Sequence, residues 1–209
     1  MRIGEELRLL LERLYDDTGG AVALMSGRAL AELDRLFPHA RLPAAGQHGL
    51  ERRGASGVVT RHAVPTRRLE RVRLRMATAV HGKAGLLIEN KGLSLALHYR
   101  RAPRLGGYAH RLARSLLPAV GRDYCLQRGK YVVEMRPAGK NKGMGVLEFM
   151  KEEPFRGRVP VFVGDDVTDE YGFATVNRLG GHSIKVGPGR TVARWRLADV
   201  RTVREWLAS

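Results

Sequence analysis

The chain has 209 residues, with 37 Lys and Arg against 21 Asp and Glu for a formal net charge of +16, and a single cysteine, Cys125. One cysteine excludes an internal disulfide framework and a Cys-based zinc site; no apolar run approaches the ~18 to 20 residues that cross a bilayer, and the N-terminal stretch MRIGEELRLLLERLYDD is amphipathic and acidic rather than signal-like, so a cytoplasmic protein with no membrane partner is expected. The positive excess is mostly arginine, reads as spread along the chain with its densest part at 61–75, and has no aromatic residue interleaved for base stacking; this argues against nucleic acid and for an anionic phosphorylated ligand or a solvated helix face.

Residues 4–17 place Leu7, Leu9, Leu10, Leu11 and Leu14 among charges at helical spacing, which predicts an amphipathic helix ending in a turn at 16–20. The continuous apolar run AVALM at 21–25 predicts a strand buried on both faces, and 28–37 returns to a helical period. Residues 44–57 (AAGQHGLERRGASG) read as loop, and 64–80 as a basic amphipathic helix after Pro65. From Gly85 onward, LLIEN and LSLALHYR alternate about Lys91-Gly92, a hairpin signal; 105–117 is helical and YVVEM at 131–135 is a strand. A loop over 137–143 opens a helix running to about Lys151, and VPVFV at 159–163 is a second apolar strand. The acidic loop GDDVTDE, a helix, a strand at 182–186 and a terminal segment ending in REWLAS complete the chain. The two ends predict α/β structure, with an α+β insertion between them.

Three places carry chemistry. In GDDVTDE, the carboxylates of Asp165, Asp166 and Asp169 follow a buried strand, where ligands bind in open α/β sheets, and form the hard oxygen site that magnesium selects; an acidic turn capping the next helix is the structural alternative. Ser26-Gly27-Arg28 follows AVALM, so a hydroxyl and backbone amides can hold a phosphoryl oxygen there, although Ser26 serves equally as a helix N-cap. Lys142 in GKNKG stands just before a helix, placed to neutralise phosphate charge; Lys140 is its rival, and a solvated loop lysine is the plain alternative.

In that order, strand-Ser, loop-Lys-helix and strand-GDDxxD resemble the second, third and fourth motifs of haloacid dehalogenase-type phosphatases. ALMSGR, AGQHGLERR, ENKGLSLALHYR, VVEMRP and FVGDDVTDEYGFATVNRLGG are similar to landmarks of the trehalose-6-phosphate phosphatases, and together they sample residues 21–187. The resemblance implies a Rossmann-like haloacid dehalogenase core from 1–60 and 137–209, with an inserted α+β cap over 61–136 that reads the sugar. It implies magnesium-dependent hydrolysis of trehalose 6-phosphate to trehalose and phosphate, with Ser26 and Lys142 stabilising charge. Asp165 would be the direct Mg2+ ligand, and Asp166 and Asp169 would hold water or orient the site. Carried over in the same way, Lys91, Glu134, His98 and Arg100 would meet sugar hydroxyls, and His48 and Glu51 would lie near the junction of cap and core. Each also has an ordinary structural role open to it: His48 fixing its loop, Arg100 as a surface charge, Glu134 pairing with a neighbouring arginine.

The family's nucleophile and general acid come from a D-x-D-G-T loop after the first core strand, and no such motif occurs in this sequence. Asp16-Asp17-Thr18-Gly19 follows a helical pattern instead and is assigned to a surface turn. The resemblance therefore implies that the first core strand, central in the sheet, is missing, with its neighbours unpaired. A start set too late, a fragment, or an inactive relative would each account for that. The competing expectation is a non-catalytic protein that binds a sugar phosphate or nucleic acid without turnover.

Overall fold

The computed structural model describes residues 4–37, 42–61 and 66–209, without the side chain of Thr66. The chain forms two compact units, residues 1–61 with 140–209, and residues 62–139. None of the described helices is long and apolar enough to cross a membrane.

The first unit opens with α1 (Glu5–Asp17), whose leucine stripe is half-buried and whose outer face carries Arg8–Glu12 at 3.0 Å and Arg13–Asp17 at 3.5 Å, both i,i+4 pairs. Asp16 and Asp17 are exposed in its last turn. There follow β1 (Leu24–Met25), α2 (Leu30–Leu36), β2 (Ala44–Gly46), β3 (Glu51–Arg53) and β4 (Val59–Arg61). They form one sheet in the order β1-β2-β3-β4, parallel at β1–β2 and antiparallel beyond. Residues 44–57, expected as loop, thus hold two strands. Ala-Ala-Gly and Glu-Arg-Arg carry little β propensity, and what makes them strands is tertiary: Ala45 is buried in a cluster with Phe149 and Phe155. The strand expected over 21–25 narrows to two residues, the two that pair with β2; among the described residues β1 has no strand on its other edge.

The second unit packs α3 (Thr66–Val80) and α4 (Gly106–Leu116) on a four-stranded antiparallel sheet. Its strands are β5 (Leu87–Asn90), β6 (Leu95–His98), β7 (Tyr124–Gly129) and β8 (Val132–Pro137), in the order β5-β6-β8-β7. Alternation sends Leu95, Leu97, Val133 and Met135 into a core with Leu69, Val72, Met76, Ala109 and Ala113. It turns His98 and Glu134 to the opposite face. Strand β7 escapes the sequence reading because Gln127, Arg128 and Gly129 interrupt its pattern; register with β8, from Tyr124↔Pro137 to Gly129↔Val132, defines it. The positive charge is concentrated here rather than spread along the chain: over 62–139 basic residues outnumber acidic ones four to one.

The first unit resumes with α5 (Lys142–Phe149), β9 (Val161–Gly164), α6 (Glu170–Arg178), β10 (His182–Val186), β11 (Trp195–Leu197) and α7 (Val200–Ala208). Its three strands are parallel in the order β11-β10-β9, and among the described residues β9 has no strand on its other edge. Phe162, Phe173, Val176 and Val146 form the core between this sheet and α5–α6, with Phe162 and Phe173 edge to face at 5.6 Å. Gly172 lets α6 settle on the strand, since a Cβ there would stand 2.6 Å from the Phe162 ring. Met25 of β1 packs on the same cluster. Arg52 of β3 ties the two parts of the unit together: it bonds Glu152 at 2.7 Å, pairs with Glu148 at 3.4 Å and lies over the Phe149 ring.

Candidate active site

In the first unit, Ser26 and Asp165 each follow a parallel strand at its carboxyl end. The Ser26 N–H donates to the Ala45 carbonyl at 2.9 Å, extending the β1–β2 ladder, and its Oγ accepts from the Arg28 N–H at 3.1 Å. Ser26 does not cap α2: the N–H of Leu30, first in that helix, donates to Glu51 Oε2 at 2.9 Å.

Lys142 is the first residue of α5, set by Asn141, whose side chain accepts from the Met144 N–H at 3.0 Å. Its ammonium donates to Asp169 Oδ1 at 2.6 Å, and the two side chains are 8% and 4% exposed. The other oxygen of Asp169 accepts the amides of Asp165 and Asp166 at 3.0 and 2.8 Å. One buried carboxylate therefore locks the start of α5 to the loop after β9, and Gly164 makes room for it, because a Cβ there would fall inside the Asp169 carboxyl group. Asp166 accepts from the Val167 N–H at 2.7 Å and completes a capping box with Asp169. Lys140 pairs with Glu148 at 2.8 Å on the side of α5.

Asp165 itself is exposed, and its carboxylate has no partner among the described residues. Its main-chain carbonyl accepts from the ammonium of Lys185, a buried cation on β10 that the sequence reading passed over. The sequence signal is slight: Lys185 stands between Ile184 and Val186, and a lysine buried in a strand has to find a polar partner. His48 and Glu51 are both buried within the unit. Glu51 spends Oε2 on α2 and brings Oε1 within 3.5 Å of Arg61.

In the second unit, Glu134 is buried on the open face of the sheet, accepting from Ser94 Oγ at 2.6 Å, with the Lys91 ammonium at 3.4 Å. His98 pairs with Glu89 at 2.7 Å, and Arg100 is exposed beyond β6. The fold thus joins Lys91 to Glu134 and adds Ser94, which the sequence reading did not single out.

The trehalose-phosphatase family model matches residues 1–201. The trehalose-6-phosphate phosphatase of Escherichia coli (strain K12) is 45% identical over 197 residues, covering 94% of this chain and 74% of that protein. The chain belongs to the trehalose-phosphatase family. Two solved structures share the fold of this trehalose-phosphatase family member. The C-terminal domain of C. albicans trehalose-6-phosphate phosphatase superposes with a TM-score of 0.82 at 24% identity, covering 99% of this chain and 83% of that one. A haloacid dehalogenase-like hydrolase from B. subtilis gives 0.66 at 11% identity, covering 99% and 93%.

In this trehalose-phosphatase relative, no three His, Cys, Asp or Glu side chains among the described residues converge to hold a metal. The reason is local, since Asp169 is spent on Lys142 and two amides, and Asp166 on a cap. Magnesium, however, needs only one or two carboxylates beside water and substrate phosphate. The exposed, unpartnered Asp165 carboxylate fits that mode.

Proposed function

We propose that this protein hydrolyses trehalose 6-phosphate to trehalose and phosphate, its first unit serving as the phosphate-holding core and its second as the sugar-reading cap. The observation that carries the reading is the buried lock between Lys142 and Asp169, which fixes a cation beside the loop that presents Asp165. Ser26 would donate its hydroxyl, and the loop after it its amides, to the phosphoryl oxygens. Lys142, held by Asp169, would supply a fixed positive charge with no reorganisation when the substrate arrives. Asp165 would hold Mg2+ directly, while Asp166 and Asp169 shape the loop around it. When bound, the magnesium ion would neutralise charge on the phosphoryl oxygens and orient them. In the cap, Glu134 and Lys91 would accept from and donate to sugar hydroxyls, with Ser94 holding the Glu134 carboxylate in place; His98 and Arg100 are further contacts in this reading. The excess of arginine over 62–139 favours an anionic substrate.

This reading assigns the nucleophile's role to none of these residues, nor to Asp16 and Asp17, which are exposed in the last turn of α1. Binding, which the assigned residues provide, is therefore separable from turnover. The test is magnesium-dependent phosphate release from trehalose 6-phosphate and from glucose 6-phosphate, by the 209-residue chain and by a chain extended upstream with an apolar strand ending in D-x-D-G-T. Turnover of trehalose 6-phosphate by the extended chain, lost on Asp165→Ala and weakened chiefly in KM by Glu134→Gln, is expected. Equal turnover of both sugars, or indifference to Asp165→Ala, would overturn the reading.

A further inference from the structure

Gln47, His48 and Gly49 take φ values of +47°, +59° and +96°, three consecutive residues in the left-handed region. Two of them are not glycine, and such backbone persists only where its surroundings dictate it, often at functional sites. The Gln47 side chain does little to offset this, being 1% exposed with Oε1 lacking a hydrogen-bond partner among the described residues.

What the segment touches explains it better. The Gln47 N–H donates to the Arg28 carbonyl at 2.8 Å and the His48 N–H to the Ser26 carbonyl at 3.0 Å, so successive amides clasp both ends of Ser26-Gly27-Arg28. The His48 ring lies against the middle of that loop, where a Cβ on Gly27 would stand 2.8 Å from Nε2 and 2.9 Å from Cε1. Gly46 passes so close that its Cβ would lie 2.9 Å from the Arg28 carbonyl oxygen. On the other side, a Cβ on Gly49 would lie 3.3 Å from the carbonyl oxygen of Asn141, the residue that starts the helix of Lys142.

We infer that Gln47-His48-Gly49 is a positioning strap, with the His48 ring as the floor that fixes Gly27 and sets the Ser26 hydroxyl and its neighbouring amides in register with Lys142. The inference rests on the proposed phosphate-holding role of Ser26 and Lys142. It assigns His48, 8% exposed, to holding the loop rather than to touching sugar.

His48→Gly separates this role from plain stability, because it removes the ring while relieving the left-handed backbone. The relieved backbone offsets part of the cost of the space the buried ring leaves, so the melting temperature should fall by a few degrees at most. The affinity of the 209-residue chain for inorganic phosphate, titrated calorimetrically with Mg2+ present, should fall about tenfold or more, since small displacements of binding groups are costly. Gly27→Ala, which drives a Cβ into the ring, should weaken phosphate binding alone, and should do so less in the His48→Gly background. His48→Asn, which tolerates the same backbone without the ring, should reproduce the loss and keeps the test decisive if the glycine variant folds poorly. Wild-type affinity in both His48 variants while Ser26→Ala binds weakly would overturn the strap and leave the phosphate site standing. Strictly additive effects of Gly27→Ala and His48→Gly would also overturn it. If Ser26→Ala binds as tightly as the wild type, the phosphate site itself is wrong and the strap falls with it.

Discussion

Replacing Asp169 with alanine removes three hydrogen bonds at once and strands a buried cation. Lys142 Nζ lies 2.6 Å from Oδ1, and the amides of Asp165 and Asp166 lie 3.0 and 2.8 Å from Oδ2. Breaking a buried ion pair from one side costs ~3–5 kcal/mol, because the surviving charge stays in the interior uncompensated. Lys142→Met should cost less, about 2–3 kcal/mol, since Asp169 keeps both amides and bonds to a charged acceptor are the stronger kind. The double variant buries no charge, so its cost should fall about 2 kcal/mol short of the two single costs added together. Urea unfolding reads this directly: with a slope of about 2 kcal/mol per molar, Asp169→Ala should lower the midpoint by ~1.5–2.5 M. Strict additivity, or an Asp169→Ala midpoint within ~0.3 M of wild type, would refute the buried lock.

Three further outcomes follow from the packing and the titrating groups. Gly164→Ala should cost ~1–3 kcal/mol by overpacking, because the new methyl overlaps the Asp169 carboxyl; an unchanged melting temperature would show that the carboxylate is not held there. Phe173→Ala, at a ring with no solvent exposure, should cost ~3–5 kcal/mol in chemical denaturation, and a loss under ~1 kcal/mol would mean that α6 does not pack on Phe162. Burial, and then the nearby Arg128 and Arg114, hold the His110 imidazole below its ordinary pKa, so the folded second unit favours the neutral ring. Stability from this source is fully present above about pH 6.5 and is lost as pH falls through the lowered value. Melting curves of the wild type should drop on acidification more than those of His110→Gln, and identical pH profiles would contradict the assignment.

What the sequence made legible was chemistry that must sit at strand ends. AVALM followed by Ser-Gly-Arg, and VPVFV followed by an acid cluster, placed Ser26 and Asp165 because near-continuous apolar runs read as parallel strands whose loops carry polar groups, although β1 is half-buried rather than buried on both faces and Val161 of β9 is exposed. The division of labour inside the acid cluster was not legible: spacing treats Asp165, Asp166 and Asp169 alike, and only the fold shows two of them committed to a lysine, amides and a cap. The sequence favours Lys142 over Lys140 by its place at the helix start, and the packing separates them as a buried ion pair and a half-exposed bridge. Strands β2, β3 and β7 were missed for one shared reason, since their residues become strands through partners distant in sequence rather than through their own pattern. The left-handed run at Gln47 and His48 has no sequence signature beyond its flanking glycines, so a close contact on the Ser26 loop comes from a segment that reads as ordinary loop.

Ser26, Lys142 and Asp165 are proposed to hold one phosphoryl group with the help of magnesium. Phosphorus NMR of trehalose 6-phosphate titrated with the 209-residue chain, with and without Mg2+, tests this most directly. A bound signal that requires Mg2+ and is weakened about tenfold or more by Asp165→Ala and by Lys142→Met is expected, charge-assisted contacts being the strong ones. Binding that is equally tight without Mg2+ and unchanged in both variants would contradict it.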